Sequence, residues 1–197
     1  MSTLGLLWTL ALAAGVALGF LCGGRLRNLT EHRLRLPILL WVAFAVQVAD
    51  FTFAGFGATL RAWHLPTLAV IYSLVLAWIV VNLPGHGPGL TIAGLLLLLG
   101  SLANAAVIAA NGKMPGSYAA AVAAGVPRRL LATVPASPKH MWRNEATRLP
   151  WLGDNIPFRL ARLAVSPGDV ALMTGIVIAV AAGMRSRSRA SAAADAR

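Results

Sequence analysis

The sequence predicts an all-α integral membrane protein with five transmembrane helices and an extracytoplasmic cap of short helices between the fourth and fifth. Three observations carry that expectation. The chain of 197 residues is 58% hydrophobic and only 12% charged, where a soluble domain carries about 25% charged residues. The deficit is concentrated in five long apolar runs, which is the composition a bilayer demands. Between the fourth and fifth runs lies the one long stretch that cannot span, residues 111–168, and it holds most of the side chains able to do specific work. The length suits a single membrane domain, residues 1–184, followed by a basic tail over 185–197.

The net charge is +11, from 17 Lys and Arg against 6 Asp and Glu. In a soluble protein that balance would point to nucleic acid. Here the basic residues lie between and after apolar spans, so anionic lipid headgroups are the expected partner and nucleic acid is not. Cys22 is the only cysteine. An internal disulfide and a thiolate metal cluster are therefore excluded, and Cys22 is expected to be a small packing residue.

The first span is expected over 4–22. It lacks the basic segment that opens a secretory signal peptide, so it reads as a retained helix. Gly15, Gly19 and Gly23 recur every fourth residue, with Ala11 in the same row. Such a row lets another helix approach closely, with a membrane-protein partner or a second copy of the chain as the candidates. Residues 25–36 form a hydrophilic loop with Arg25, Arg27, Arg33 and Arg35. Four arginines in so short a loop place it on the cytoplasmic side.

The second span is expected over 37–57, with Pro37 tolerated at its start because the first helical N–H has no partner. Gln47 and Asp50 are three apart and share a face. Asp50 lies about 20 Å along the helix from Pro37, in the outer half of the membrane. A short outer loop holds Arg61, Trp63 and His64. The third span covers 65–83, and the Pro84 to Gly89 stretch reads as an inner turn. The fourth covers 90–110, with Asn104 and Asn111 two turns apart on one face. The fifth covers 169–184, and a Ser/Ala/Arg tail follows.

These spans put the N-terminus outside and the C-terminus in the cytoplasm. The first loop and the tail each hold four Lys and Arg, against one in the 61–64 loop. The stretch after Asn111 holds eight, but segments of that length translocate with little regard to charge. Trp8 and Trp63 then fall near the outer interface and Trp41 near the inner one.

Within the cap, Ser117 is expected to start a short helix that Gly125 ends. Ser137-Pro138 reads as the start of another, and 158–165 reads as an amphipathic helix lying in the interface. Ser166-Pro167-Gly168-Asp169 has the cap-and-acid pattern of a helix start.

Four elements in order carry a resemblance. They are Gly23-Gly24-Arg25-Leu26-Arg27, Asn111-Gly112-Lys113-Met114-Pro115, Thr147 through Leu152-Gly153-Asp154, and Ser166 through Gly168-Asp169. Together they resemble a family of small bacterial multi-pass membrane proteins of unknown function, catalogued as a domain of unknown function. The Pro- and Arg-rich segment from Gly125 to His140 departs from that pattern. The resemblance implies a bacterial inner-membrane location and supplies no activity.

For function, an ionisable residue inside a span is expensive and marks a candidate site. Gln47, Asp50, Asn104, Asn111 and Lys113 are the expected ligand-binding residues of a polar pocket beneath the cap. The competing reading pairs Asp50 with Lys113 or Arg61 and uses the amides as interhelical packing. Asp154 and Asp169 are read as helix caps, with a carboxylate pair as the alternative. His32, His64, His86 and His140 lack metal-ligand spacing, so neither a metal nor a cofactor is expected, and no catalytic residue is assigned. The expected function is a non-enzymatic accessory or ligand-binding bundle. The alternatives are a small transporter or channel using Asp50, or a membrane enzyme acting on a lipid-linked substrate.

Overall fold

The computed structural model describes residues 3–30, 34–53, 55–62, 67–83, 87–137 and 139–185. The expectations for Arg33, for Trp63 and His64, for residues 84–86, for Pro138 and for the tail beyond Arg185 lie outside the described residues.

The chain is mostly helical. The expected spans correspond to α1 (Thr3–Leu21), α3 (Ile38–Thr52), α5 (Thr67–Asn82), α6 (Pro88–Asn111) and α9 (Pro167–Arg185), with one-turn α2 (Arg27–Thr30) in the first loop. Two of them, α6 and α9, are long and apolar enough to cross a membrane. The second helix is shorter than expected and stops at Thr52. Phe53 is extended and donates its N–H back to Ala49, and Gly55 sits at φ +96. That left-handed conformation suits glycine and ends a helix. The chain resumes as α4 (Phe56–Ala62).

The bundle is ordered α1, α9, α6, α5, α3 across its width. The last helix in sequence is therefore an inner one, inserted between α1 and α6. Glycines explain how it fits. A Cβ on Gly15 would lie 2.8 Å from the Val180 side chain, and one on Gly19 would overlap Met184. On the other side, a Cβ on Gly100 would lie 2.6 Å from the Gly168 carbonyl, and one on Gly175 would lie 3.0 Å from Leu97. These contacts run α1 parallel to α9 and α6 antiparallel to it. The glycine row of α1 thus meets α9 of the same chain, and Gly23 turns out of the helix at φ +74.

The arginine loop ties down the far end of α9. The carbonyl of Met184 accepts the Arg25 N–H at 2.8 Å and the Asn28 side-chain amide at 2.7 Å. A helix end leaves such carbonyls without partners unless something caps them, and Asn28 is buried in doing so.

The cap between α6 and α9 is not built of helices alone. Gly112, at φ 75, ends α6 as the Asn-Gly pair predicts. β1 (Met114–Gly116) then pairs in parallel with β2 (His140–Trp142), and Gly116 also bridges Asp154. Helix α7 (Tyr118–Ala123) starts at Ser117, whose hydroxyl accepts the Ala120 N–H, and α8 (Arg128–Thr133) follows. Ser137 starts a turn rather than a helix, its hydroxyl accepting the Lys139 and His140 N–H groups. The expected amphipathic helix at 158–165 is a hairpin, with β3 (Ile156–Phe158) antiparallel to β4 (Leu163–Val165). Pro157 lacks the N–H a helix interior needs, and Arg162 takes the left-handed conformation at φ 50. Strand alternation, not helical periodicity, arranges those side chains.

Candidate functional site

The three cap elements singled out in the sequence converge where the cap meets the bundle. Buried Met114, Pro115, Gly116 and Ser117 form the centre. Asp154 donates its N–H to the Pro115 carbonyl at 2.9 Å and accepts the Ser117 N–H at 3.0 Å. Gly153 is needed here, because a Cβ would overlap the Pro115 carbonyl. Asn111 at the end of α6 reaches across the gap. Its amide oxygen accepts the Arg148 N–H at 2.9 Å and its nitrogen donates to the Arg148 carbonyl at 2.8 Å. One side chain thereby substitutes for a strand partner and fixes the turn that leads to Asp154.

Below it, Asn104, Ser166 and Asp169 close a ring. The Asn104 amide donates to the Asp169 carboxylate at 2.8 Å, and Ser166 donates its hydroxyl to Asn104 at 2.8 Å. Asp169 and Ser166 exchange the two bonds of a capping box, at 2.9 and 3.0 Å. Asp169 is therefore a helix cap, as its sequence context predicts, and it also joins α9 to α6. Tyr72 from α5 hydrogen-bonds to Asn104 and lies near both Asp169 and Asp154.

Asp154 departs from the cap expectation, since no helix starts there. Its carboxyl takes no hydrogen bond among the described residues, and its acidity is strongly perturbed. Burial first, and the negative charge of Asp169 second, push its pKa up to about 8. Removing a carboxylate from water disfavours the charged form, and a like charge adds to the effect. At neutral pH Asp154 is an uncharged acid beside a hydrogen-bonded carboxylate.

The remaining expected site residues lie along the β1–β2 side. Asp50 is 15% exposed and pairs with Lys139 at 3.3 Å, rather than with Lys113. It also accepts the Thr67 hydroxyl at 3.1 Å. Lys113 instead donates to the Ser137 carbonyl at 2.7 Å. Gln47 lies one turn before Asp50 on α3, half-buried. Asp50, Asn104, Asn111 and Lys113 all have protein partners. The structure joins Asn104 to Asp169 and Asp50 to Lys139, as two neighbouring polar clusters under one cap. Sequence reasoning missed Tyr72, Lys139 and Ser166 as members. Tyr72 was legible as a polar group inside a span; Lys139 was not, because its partner lies far away in sequence.

No group of three or more His, Cys, Asp or Glu side chains that could hold a metal ion occurs among the described residues. Neither a curated protein nor a solved structure matches the chain. A model of a family of unknown function, DUF5317, matches residues 31–181, which takes in α3, α5, α6, the whole cap and nearly all of α9. By that match the chain belongs to the DUF5317 family of unknown function.

Proposed function

We propose that this is a non-enzymatic bacterial inner-membrane protein whose cap binds a small polar ligand or lipid headgroup at its junction with the bundle. Five spans place that cap outside the cytoplasm, with the N-terminus outside and the C-terminus inside. Several features support membrane embedding. Only 28% of the most apolar window of α6 and of α9 is buried within the protein, where a core helix of a soluble protein would be mostly covered. Helix α3 turns Ile38, Trp41, Phe44 and Val48 outward, with Trp41 67% exposed. An apolar stripe of that kind in contact with water would be an aggregation site, and lipid removes the conflict. The alternating helix directions gather the cap at one end and the arginine loop at the other, as the positive-inside rule expects.

The observation that carries the binding role is Asp154. Asp154 is half-buried, takes no hydrogen bond through its carboxyl among the described residues and lies near a second carboxyl, which leaves it available to a ligand. Held uncharged, it offers one donor and one acceptor to a polar group seated against Asn104, Ser166, Asp169 and Tyr72. A second reading, an enzyme acting on a lipid-linked substrate, draws on the same Asp154–Asp169 proximity.

The test is thermal unfolding of the detergent-solubilised protein in the presence of glycerophosphoglycerol, glycerophosphoethanolamine, sugars and amino acids at millimolar concentration. One class should raise the midpoint by several degrees, and Asp154→Asn should abolish the rise while Cys22→Ser keeps it. If no class shifts the midpoint, the binding role is lost. A reporter fused after Arg189 that proves periplasmic would invert the orientation.

A further inference from the structure

At the opposite end of the bundle, on the arginine-loop side, α5, α6 and α9 separate around a cavity of about 280 Å³. Its walls are apolar, from Leu34, Ile79, Leu90, Leu97 and Val180 among others. One polar group breaks that pattern. The indole nitrogen of Trp78, a lining residue, is buried and has no hydrogen-bond partner among the described residues. A Trp N–H shut away from water normally finds an acceptor, and leaving such a donor unmet is destabilising. The wall therefore holds a donor for which the described residues supply no acceptor.

The rim is polar and basic. Asn82 sits one helical turn beyond Trp78 and donates to its carbonyl at 2.9 Å. Asn82 also grips the backbone of Arg35 from both sides, accepting its N–H at 2.8 Å and donating to its carbonyl at 2.9 Å. Arg35 is thus held at the mouth, next to the lining residue Leu34. The loop over 25–36 has four arginines against one glutamate.

We infer that this cavity is a binding site for one acyl chain of an anionic phospholipid from the cytoplasmic leaflet. The spacing fits the ligand. Asn82 and Trp78 differ by four residues, about 6 Å along the helix axis, and a phospholipid's ester carbonyls lie just below its phosphate. With the phosphate at Arg35, an ester carbonyl lies level with the Trp78 indole and meets its N–H once the ring turns toward the cavity, and the chain continues along Leu90, Leu97 and Val180. The volume sets the stoichiometry. Small-molecule sites run from about 300 to 1,000 Å³, so this one takes part of a single chain and leaves the second chain in the bilayer. The occupant is anionic because the rim is cationic: basic side chains near the surface favour anionic lipid. This site is separate from the cap and does not depend on the ligand-binding role proposed there.

Native mass spectrometry of the full-length protein in detergent, titrated with phosphatidylglycerol or phosphatidylcholine, tests the assignment. One phosphatidylglycerol should bind ahead of further, weaker adducts, and about tenfold more tightly than phosphatidylcholine. Trp78→Phe removes the donor while keeping an aromatic, though smaller, ring in the wall, and should weaken that first adduct about fivefold. Arg35→Gln, at an exposed position, should bring the two lipids close to equal affinity. Equal binding of both lipids by the wild-type protein would overturn the site. So would a first phosphatidylglycerol adduct of unchanged affinity in both variants.

Discussion

Helices α9 and α3 are both apolar, yet the bundle treats them in opposite ways. Helix α9 is flanked on both sides, by α1 through Gly15 and Gly19 and by α6 through Gly100, Gly168 and Gly175. Its two ends are capped by other parts of the chain, Asn104 at the start and Arg25 with Asn28 at the finish. Helix α3 packs mainly on α5, turns large side chains outward and breaks off after Thr52. In the lipid environment proposed for the bundle there is little hydrophobic drive to bring helices together, and close packing and polar contacts then decide which helix is held. Small residues mark the held helix, and it is the less apolar of the two.

The sharpest way to break that contrast is Gly168→Val. A Cβ there would overlap the Asn104 amide and lie 2.8 Å from the Gly100 carbonyl. The backbone cannot move aside, and the Asn104–Ser166–Asp169 ring would be forced open as well. Stability should fall by about 3 kcal/mol or more, at the upper end of overpacking effects. Ala45→Leu, on the exposed side of α3, should change it by less than about 0.5 kcal/mol. Reversible unfolding in mixed micelles measures both. Equal losses would mean that α9 is not the better-held helix.

Asp154→Asn comes next, and its effect depends on pH. In the folded protein Asp154 keeps its proton until about pH 8, while the unfolded chain releases it near pH 4. Between those values the folded state binds more protons, so this group's contribution to stability falls as pH rises, by at most about 1.4 kcal/mol per unit. Below the window the contribution is fully present, and above it the loss is complete. The amide does not titrate. The variant should therefore show a flatter pH profile from 4 to 8 and exceed the wild type by about 2 kcal/mol at pH 9. An unchanged slope would mean that Asp154 titrates normally.

The difference between the helices and the cap also explains what was legible in advance. Charge-free runs bounded by arginines, prolines and glycines reveal helices within a few residues, because a membrane penalises every charge. Capping is equally local: Ser166 and Asp169 announce the start of α9 from adjacent positions. The strands of the cap are three residues each, two of them contain proline, and β1 meets β2 across a long loop. Nothing periodic survives in so short a segment, so the hairpin at 156–165 resembled a helix with two arginines on one face. Asp50 stood out because it is an acid within an apolar run. Its partner Lys139 could not be found that way, because the cap brings them together only after folding.

That pairing supplies the smallest expected effect. Lys139 is 35% exposed at its side chain and Asp50 15%, so water weakens their attraction. Exposed ion pairs contribute from about 0.2 to 1 kcal/mol. Lys139→Ala should then destabilise the protein by no more than about 1 kcal/mol, and Asp50→Asn by a similar amount because Thr67 can still donate to the amide oxygen. Their combination should cost less than the sum of the two. A coupling above about 2 kcal/mol in that double-mutant cycle would mean that the pair is shielded from water. The α3 side would then be anchored to the cap nearly as firmly as α9.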